Sequence, residues 1–256
     1  MHKVLEAVGS RAHTMQFYFQ GEPLLNKDLP RLIRMAHDAG LYTVVSTNGQ
    51  ALDAAMARRL VAAGLDRLIV SMDGLTDASY SAYRRGGSLQ RALDAMRLTA
   101  TARGARRHPL IEMQVLRLRS NQDEWDHMRR TYRTLGADRL VFKTAQFYDY
   151  ADGNPLMPSD ERYNRYRRDE KGRYYPKKSG GGYCRRMLTG CVITASGDVL
   201  PCCYDKQARY VFGNILSMDR PASEWDAVWH GAQAAAFRHR VFAGARDIPI
   251  CHNCAR

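Results

Sequence analysis

Through the first 145 residues, short β-rich runs alternate with longer stretches whose apolar positions recur three and four residues apart. The strand candidates are residues 15–19, 42–46, 67–71, 111–118 and 139–143. Between them, Leu29, Leu32, Ile33 and Ala36 form a helical stripe that stops at Gly40. Leu52, Ala55, Met56, Leu60 and Val61 lead in the same way to Gly64, and Trp125, Met128, Tyr132 and Leu135 to Gly136. A glycine there enters the left-handed region without steric cost and ends the helix. Strands joined by helices are parallel, and a parallel sheet presents its ligand-binding groups at the carboxyl ends of its strands. Those ends read Gln20-Gly21-Glu22-Pro23, Ser46-Thr47-Asn48-Gly49, Ser71-Met72-Asp73-Gly74 and Arg117-Leu118-Arg119-Ser120-Asn121, and every one is polar or carries glycine.

All six cysteines lie between Cys184 and Cys254. No apolar run approaches the roughly 20 residues of a membrane span and the amino terminus does not resemble a signal peptide, so the protein is expected in the cytoplasm, without a membrane partner. In that compartment such clustering points to a metal or cluster rather than a disulfide frame. Cys251-x-x-Cys254 can hold one site from a tight turn while Cys184 and Cys202 close it, and four thiolates suit a 4Fe-4S cluster or zinc. Cys191 and Cys203 read as thiols beside the site. A hairpin is expected at residues 191–200 around Ser196-Gly197-Asp198, and an amphipathic helix at 222–240.

Together, Cys184-x12-Gly197-x4-Cys202, Phe212-Gly213-Asn214-Ile215, Glu224-Trp225 and Cys251-x-x-Cys254 resemble the SPASM/Twitch auxiliary iron-sulfur domain of radical S-adenosylmethionine enzymes. Residues 15–145 resemble the barrel of the same superfamily. Gln20-Gly21-Glu22-Pro23 is similar to its Gly-Gly-Glu-Pro turn, with Gln20 in place of the first glycine. The resemblance implies an α/β fold: a partial (β/α)6 TIM-like barrel lacking its first strand over 1–145, a basic linker over 146–183, and a small C-terminal α+β cluster-binding domain over 184–256. It implies that Gly21, Glu22 and Pro23 hold the amino group of S-adenosyl-L-methionine. Thr47, Asn48, Ser71 and Asp73 would meet its ribose and Arg84 its carboxylate, while Cys184, Cys202, Cys251 and Cys254 would ligate an auxiliary 4Fe-4S cluster.

In that superfamily a Cys-x-x-x-Cys-x-x-Cys loop binds the cluster that cleaves the cofactor to a 5′-deoxyadenosyl radical. No cysteine precedes Cys184, so a second 4Fe-4S cluster is expected only with a restored upstream segment, and these residues alone are not expected to cleave the cofactor. The function implied is modification of a peptide or small molecule, with an electron donor such as flavodoxin or ferredoxin. The alternatives are a degenerate, non-catalytic scaffold and a zinc-stabilised basic module for nucleic acid.

The formal charge of +13 calls for weighing that last alternative. Much of the excess sits in residues 162–186, where many Arg and Lys face only Asp169 and Glu170. A solvated linker accounts for the charge, and tight nucleic-acid binding is not expected. Filter binding across a salt series should therefore give no submicromolar affinity at physiological salt; such affinity, collapsing as salt rises, would favour the nucleic-acid module.

Overall fold

The computed structural model of the protein describes residues 1–177 and 184–254. Lys178 and Gly180-Gly181-Gly182 of the expected linker lie outside the described residues. The chain divides into two compact units, one of residues 13–165 and one of residues 1–12 with 166–256.

The first unit is a five-stranded parallel sheet of β1 (Thr14–Gln16), β2 (Tyr42–Thr47), β3 (Arg67–Ser71), β4 (Leu110–Arg117) and β5 (Arg139–Thr144), ordered along the sheet as along the chain. These are the five expected strands, displaced by a few residues at their ends. The helices preceding and crossing them are α2 (Leu29–Asp38), α3 (Ala54–Ala62), α4 (Asp77–Tyr83), α5 (Leu89–Arg103) and α6 (Trp125–Thr131), numbered after α1 (His2–Val8). Ile33, Leu60, Ala92, Ala95 and Met96 from the helices join Val45, Leu68, Val70, Ile111, Met113 and Val115 from the strands in one buried core. Alternation along β4 puts Ile111, Met113 and Val115 under the helices and Glu112, Gln114 and Leu116 on the opposite face.

Arg117 closes the helix-covered row of β4. Its guanidinium carbon lies 4.3 Å from the ring centroid of Tyr163, 5.0 Å from Phe142 and 5.4 Å from Trp125. Burial pulls its pKa down. Tyr163 belongs to the segment expected as linker, which is instead folded from 146 to 165. Phe147 and Met157 are buried there, Arg119 N–H donates to Leu156 O, and Ser159 donates to Gln122. The physical reason is apolar content: these side chains bury area that a solvated connector would leave wet.

The second unit begins with α1, which lies in the 1–145 range that the resemblance gave to the barrel. Its apolar face, Val4, Ala7 and Val8, packs instead into the core of Met187, Phe212, Trp225 and Phe237. Lys3 Nζ donates to Leu216 O at 2.8 Å and to Met218 O at 2.6 Å, and Arg11 pairs with Asp226. The rest of the linker is an antiparallel hairpin, β6 (Tyr166–Arg168) with β7 (Tyr174–Pro176), anchored by fully buried Tyr166, whose hydroxyl donates to Asn253 Oδ1 at 2.9 Å. After α7 (Arg186–Thr189), the hairpin expected at 191–200 appears as β8 (Val192–Ile193) and β9 (Asp198–Leu200), with β10 (Gly213–Asn214) pairing β9 from the other side. The single helix expected at 222–240 is two, α8 (Pro221–Trp229) and α9 (Ala232–Gly244). The break falls at Gly231, whose ψ of 176° is extended and whose low helix propensity makes it the cheapest place to stop. A short α10 (Pro249–His252) follows.

Trp125 meets Tyr163 edge-on at 4.9 Å and Phe142 at 6.2 Å, and its indole N–H donates to Asn121 Oδ1 at 2.8 Å. Trp125→Ala should cost about 3–5 kcal/mol, as large-to-small core changes do. Trp125→Phe should cost less, about 1–2 kcal/mol, chiefly for the lost hydrogen bond. Urea midpoints at unchanged m-value check both, and equal midpoints for the two variants would contradict the assignment.

Candidate functional site

Of the expected cofactor residues, Gly21, Glu22, Pro23, Thr47, Asn48, Ser71 and Asp73 lie at or just beyond the carboxyl ends of β1, β2 and β3, and Arg84 caps α4. Gly21 turns the chain after β1 with φ +78°, and nothing lies within 4 Å of where a side chain would start. That leaves open space beside the backbone and places Glu22 against the end of β2. Glu22 Oε1 accepts from Leu24 N at 3.2 Å and from Thr47 Oγ1 at 2.5 Å, and Oε2 accepts from Asn48 N at 2.9 Å. Pro23 starts the short 3-10 turn Pro23–Leu25 that Glu22 caps, where a missing N–H is no loss. Gly49 lets the next turn press on α5, since a Cβ there would stand 3.1 Å from Ala92 Cα and Ala95 Cβ.

A second group centres on Asp73, which is fully buried. Its Oδ2 accepts from Arg84 Nε at 2.6 Å and its Oδ1 from Leu116 N at 2.7 Å. Burial raises the Asp73 pKa, and Arg84 and the Leu116 amide only partly oppose that. Ser71 is buried at the end of β3, in backbone register with Gln114 of β4. The structure thus joins Glu22, Thr47 and Asn48 in one cluster and Asp73 and Arg84 in another. Arg84 faces a protein carboxylate.

Sequence reasoning missed two amides that tie these turns together. Gln50 Nε2 donates to Asn48 O, Tyr80 Oη and Ser88 O, and its Oε1 accepts from Ser88 N at 2.8 Å. Buried Asn121 donates to Asp73 O and Leu116 O, both at 2.9 Å. Asn121 lies inside the 3-10 turn Arg119–Glu124 that leads into α6, and Glu124 accepts from Leu75 N and Ser79 Oγ instead of capping that turn. Nothing local marks Gln50.

In the second unit, Cys184 and Cys251 are buried within its core, while Cys202 and Cys254 are half-buried. Burial pushes the Cys202 thiol up to about 11, with Cys203, Cys251 and Cys254 close enough to add to the shift. Cys191 is also pushed up to about 11, by burial alone, so no other thiol is felt there. Among the described residues no three His, Cys, Asp or Glu side chains already form a coordination sphere. Asn214 Nδ2 bonds Ser196 O at 2.8 Å and Asp198 Oδ1 at 2.9 Å, pinning the hairpin turn before Cys202. Asp205, fully buried and unforeseen, shapes the loop after it by accepting from Arg209 N and Tyr210 N.

Known proteins share this architecture. The family model of the Radical SAM superfamily matches residues 3–106, and that of SPASM, an iron-sulfur cluster-binding domain, matches residues 184–255. The PqqA peptide cyclase of Granulibacter bethesdensis is 30% identical over 271 residues, covering 94% of this chain and 67% of that protein. The chain belongs to the radical SAM superfamily. Its matched domains imply S-adenosylmethionine and 4Fe-4S clusters as cofactors. This radical SAM chain spans about two thirds of the length of the curated relatives it matches. Its fold is similar to BtrN in complex with AdoMet and 2-DOIA, at 19% identity and a TM-score of 0.55, covering 100% of this chain and 78% of that one. It is similar as well to anSMEcpe with bound AdoMet and a Kp18Cys peptide, at 14% identity and a TM-score of 0.63, covering 98% and 78%. Among the described residues no helix is long and apolar enough to cross a membrane.

The buried Asp73–Arg84 pair makes a pH-dependent contribution. A carboxyl whose folded pKa lies above its unfolded value binds more protons when folded, so stability falls as pH rises from the unfolded value through the folded one. Arg84→Met removes the partner that opposes this, and Asp73 should shift further up. The variant should lose about 3 kcal/mol or more at mildly alkaline pH, where the carboxylate stays charged and unpaired, and less at mildly acidic pH. Urea unfolding at the two pH values checks this, and an equal loss at both would count against it.

Proposed function

We propose that this chain binds S-adenosylmethionine at the carboxyl ends of β1, β2 and β3 and an auxiliary 4Fe-4S cluster on Cys184, Cys202, Cys251 and Cys254, in the service of radical modification of a peptide. The observation that carries the reading is Glu22, a carboxylate fixed beside the open backbone of Gly21 by Thr47 and the Asn48 amide. Such a carboxylate suits an ammonium group, and Gly21 admits it to the main chain. Ser71 and Asn48 supply polar groups at the same ends. Arg84 supplies a guanidinium whose Nε is held by Asp73, leaving its terminal nitrogens to a ligand carboxylate.

The thiols fit the cluster by donor chemistry, since an all-sulfur set suits iron-sulfur clusters. The raised pKa of Cys202 means that binding there releases a proton. When bound and reduced, the cofactor supplies a radical able to abstract hydrogen. The residues named here bind and orient it. Peptide substrates are favoured over small molecules by the 30% identity to a PqqA peptide cyclase. Reduction calls for a low-potential electron donor, a flavodoxin or ferredoxin.

Anaerobic reconstitution of the chain with iron and sulfide, followed by metal analysis and calorimetric titration of S-adenosylmethionine, tests the proposal. Expected are a brown protein with one 4Fe-4S cluster, lost in Cys254→Ala, and cofactor binding weakened at least tenfold in Glu22→Gln. Stoichiometric zinc without iron uptake would overturn the cluster assignment, and unchanged affinity in Glu22→Gln would overturn the cofactor site.

A further inference from the structure

Among the described residues, one basic side chain stands beside the thiols with no carboxylate contributing to its electrostatics. Arg186 opens α7, two residues after Cys184, and its Nη1 donates to Cys203 Sγ at 2.9 Å. Its guanidinium carbon lies 5.8 Å from the centroid of the Tyr204 ring. Partial burial lowers the pKa of this guanidinium, but Cys203, Tyr204, Cys254 and Cys202 together outweigh it and leave the pKa raised. Among the described residues no Asp or Glu contributes to that shift. Because Cys203 adjoins Cys202 and Arg186 follows Cys184 by two residues, the contact sets the cation beside two members of the assigned ligand set. The adjacent Cys202 and Cys203 differ in environment: Cys202 is half-buried and influenced by Cys251 and Cys254, while Cys203 is exposed and held by Arg186.

Resting on the ligand assignment proposed above, we infer that Arg186 tunes the auxiliary cluster, raising its reduction potential and holding Cys203 outside its coordination sphere. Net charge and hydrogen bonds around the sulfurs are the protein's levers on such a potential. A one-electron reduction makes the cluster more negative by one charge, so a neighbouring cation stabilises the reduced state more than the oxidised one. Arg186 is at the surface, so dissolved ions screen the effect. Salt sensitivity is thus a signature that a merely structural arginine would not produce. The Cys203 contact supplies the geometry. A guanidinium occupied by the exposed thiol stays beside the cluster and leaves Cys202 as the inward-facing ligand of the pair.

The test uses the full chain, reconstituted anaerobically, with midpoint potentials read by absorbance and electron paramagnetic resonance during a dithionite titration. Arg186→Gln should shift the midpoint to lower potential at low salt, Arg186→Lys should keep most of the wild-type value, and the gap should narrow as salt is raised. Cys203→Ser should retain full iron and sulfide. Equal midpoints in wild type and Arg186→Gln at low salt would refute the tuning role, and loss of iron in Cys203→Ser would make Cys203 a ligand. Should Arg186→Gln load poorly, the wild-type and Arg186→Lys midpoints still read the charge: both should fall with rising salt, and constancy would overturn the inference. Failure of the ligand assignment looks different, because then wild type itself takes up no cluster or Cys254→Ala keeps it.

Discussion

Parallel strands deliver their last backbone groups to one end of the sheet, and in the first unit that end is organised around a carboxylate removed from water. Asp73 is fully buried, and taking a charge there is costly unless its lone pairs are met. They are met from two places, Arg84 at the end of α4 and the Leu116 amide of β4, while the Asn121 side chain donates to the backbone carbonyl of Asp73. The same Asn121 accepts the Trp125 indole N–H. One buried charge therefore fixes the distance between β3 and β4, the end of α4 and the start of α6. Because burial still wins over these partners in setting the Asp73 pKa, the network has little slack. A half-satisfied version would be worse than an apolar one.

The turns after β1 and β2 are tied to the Arg84 loop by way of Gln50. Its amide bridges the turn after β2 to Ser88 and Tyr80, residues that flank the loop carrying Arg84. Gly49 allows the same turn to lie against α5. Glu22 then reaches across from the turn after β1 to Thr47 and Asn48. Glu22 and Asp73 are both held by neighbours on different elements, which is the condition for a site whose groups are in place before a ligand arrives.

Periodicity made the strands legible, since β2 to β5 lie close to where alternating apolar residues put them. The stripes over α2 and α3 were equally plain. Gln50 and Asp205 were not, because their roles consist of bonds to backbone groups whose positions depend on the finished fold. The Gln50–Ser88 pairing spans 38 residues, and no local pattern encodes it. α1 misled for a related reason. An apolar helical face states that a partner exists without naming it, and Val4, Ala7 and Val8 suit the distant core of the second unit as well as a barrel. The 146–177 segment was misread because charge was weighed above its aromatic and Met content. Tyr163 and Tyr166 anchor its two parts.

In the second unit the core precedes the cluster. Phe212, Trp225, Phe237 and Val241 pack with Met187 and Ile215 and bury Cys184 and Cys251 among them, so apolar packing helps to position two of the four thiols. The other two sit on segments shaped by polar bonds, the Asp205 loop after Cys202 and the turn in which Cys254 N–H donates to Cys251 O at 3.1 Å. Small units bury too little area to be robust by themselves. The recruitment of α1, with Lys3 bonding the carbonyls of Leu216 and Met218, supplies extra area from the far end of the sequence. A cluster bound to these thiols would then add to a core already formed. This contrasts with zinc fingers, which are unfolded without their metal. The division has a chemical consequence. A packed shell around Cys184 and Cys251 keeps water from one side of the sulfurs, while the exposed side, where Cys203 and Arg186 meet, is the side on which charge can be adjusted without disturbing the packing.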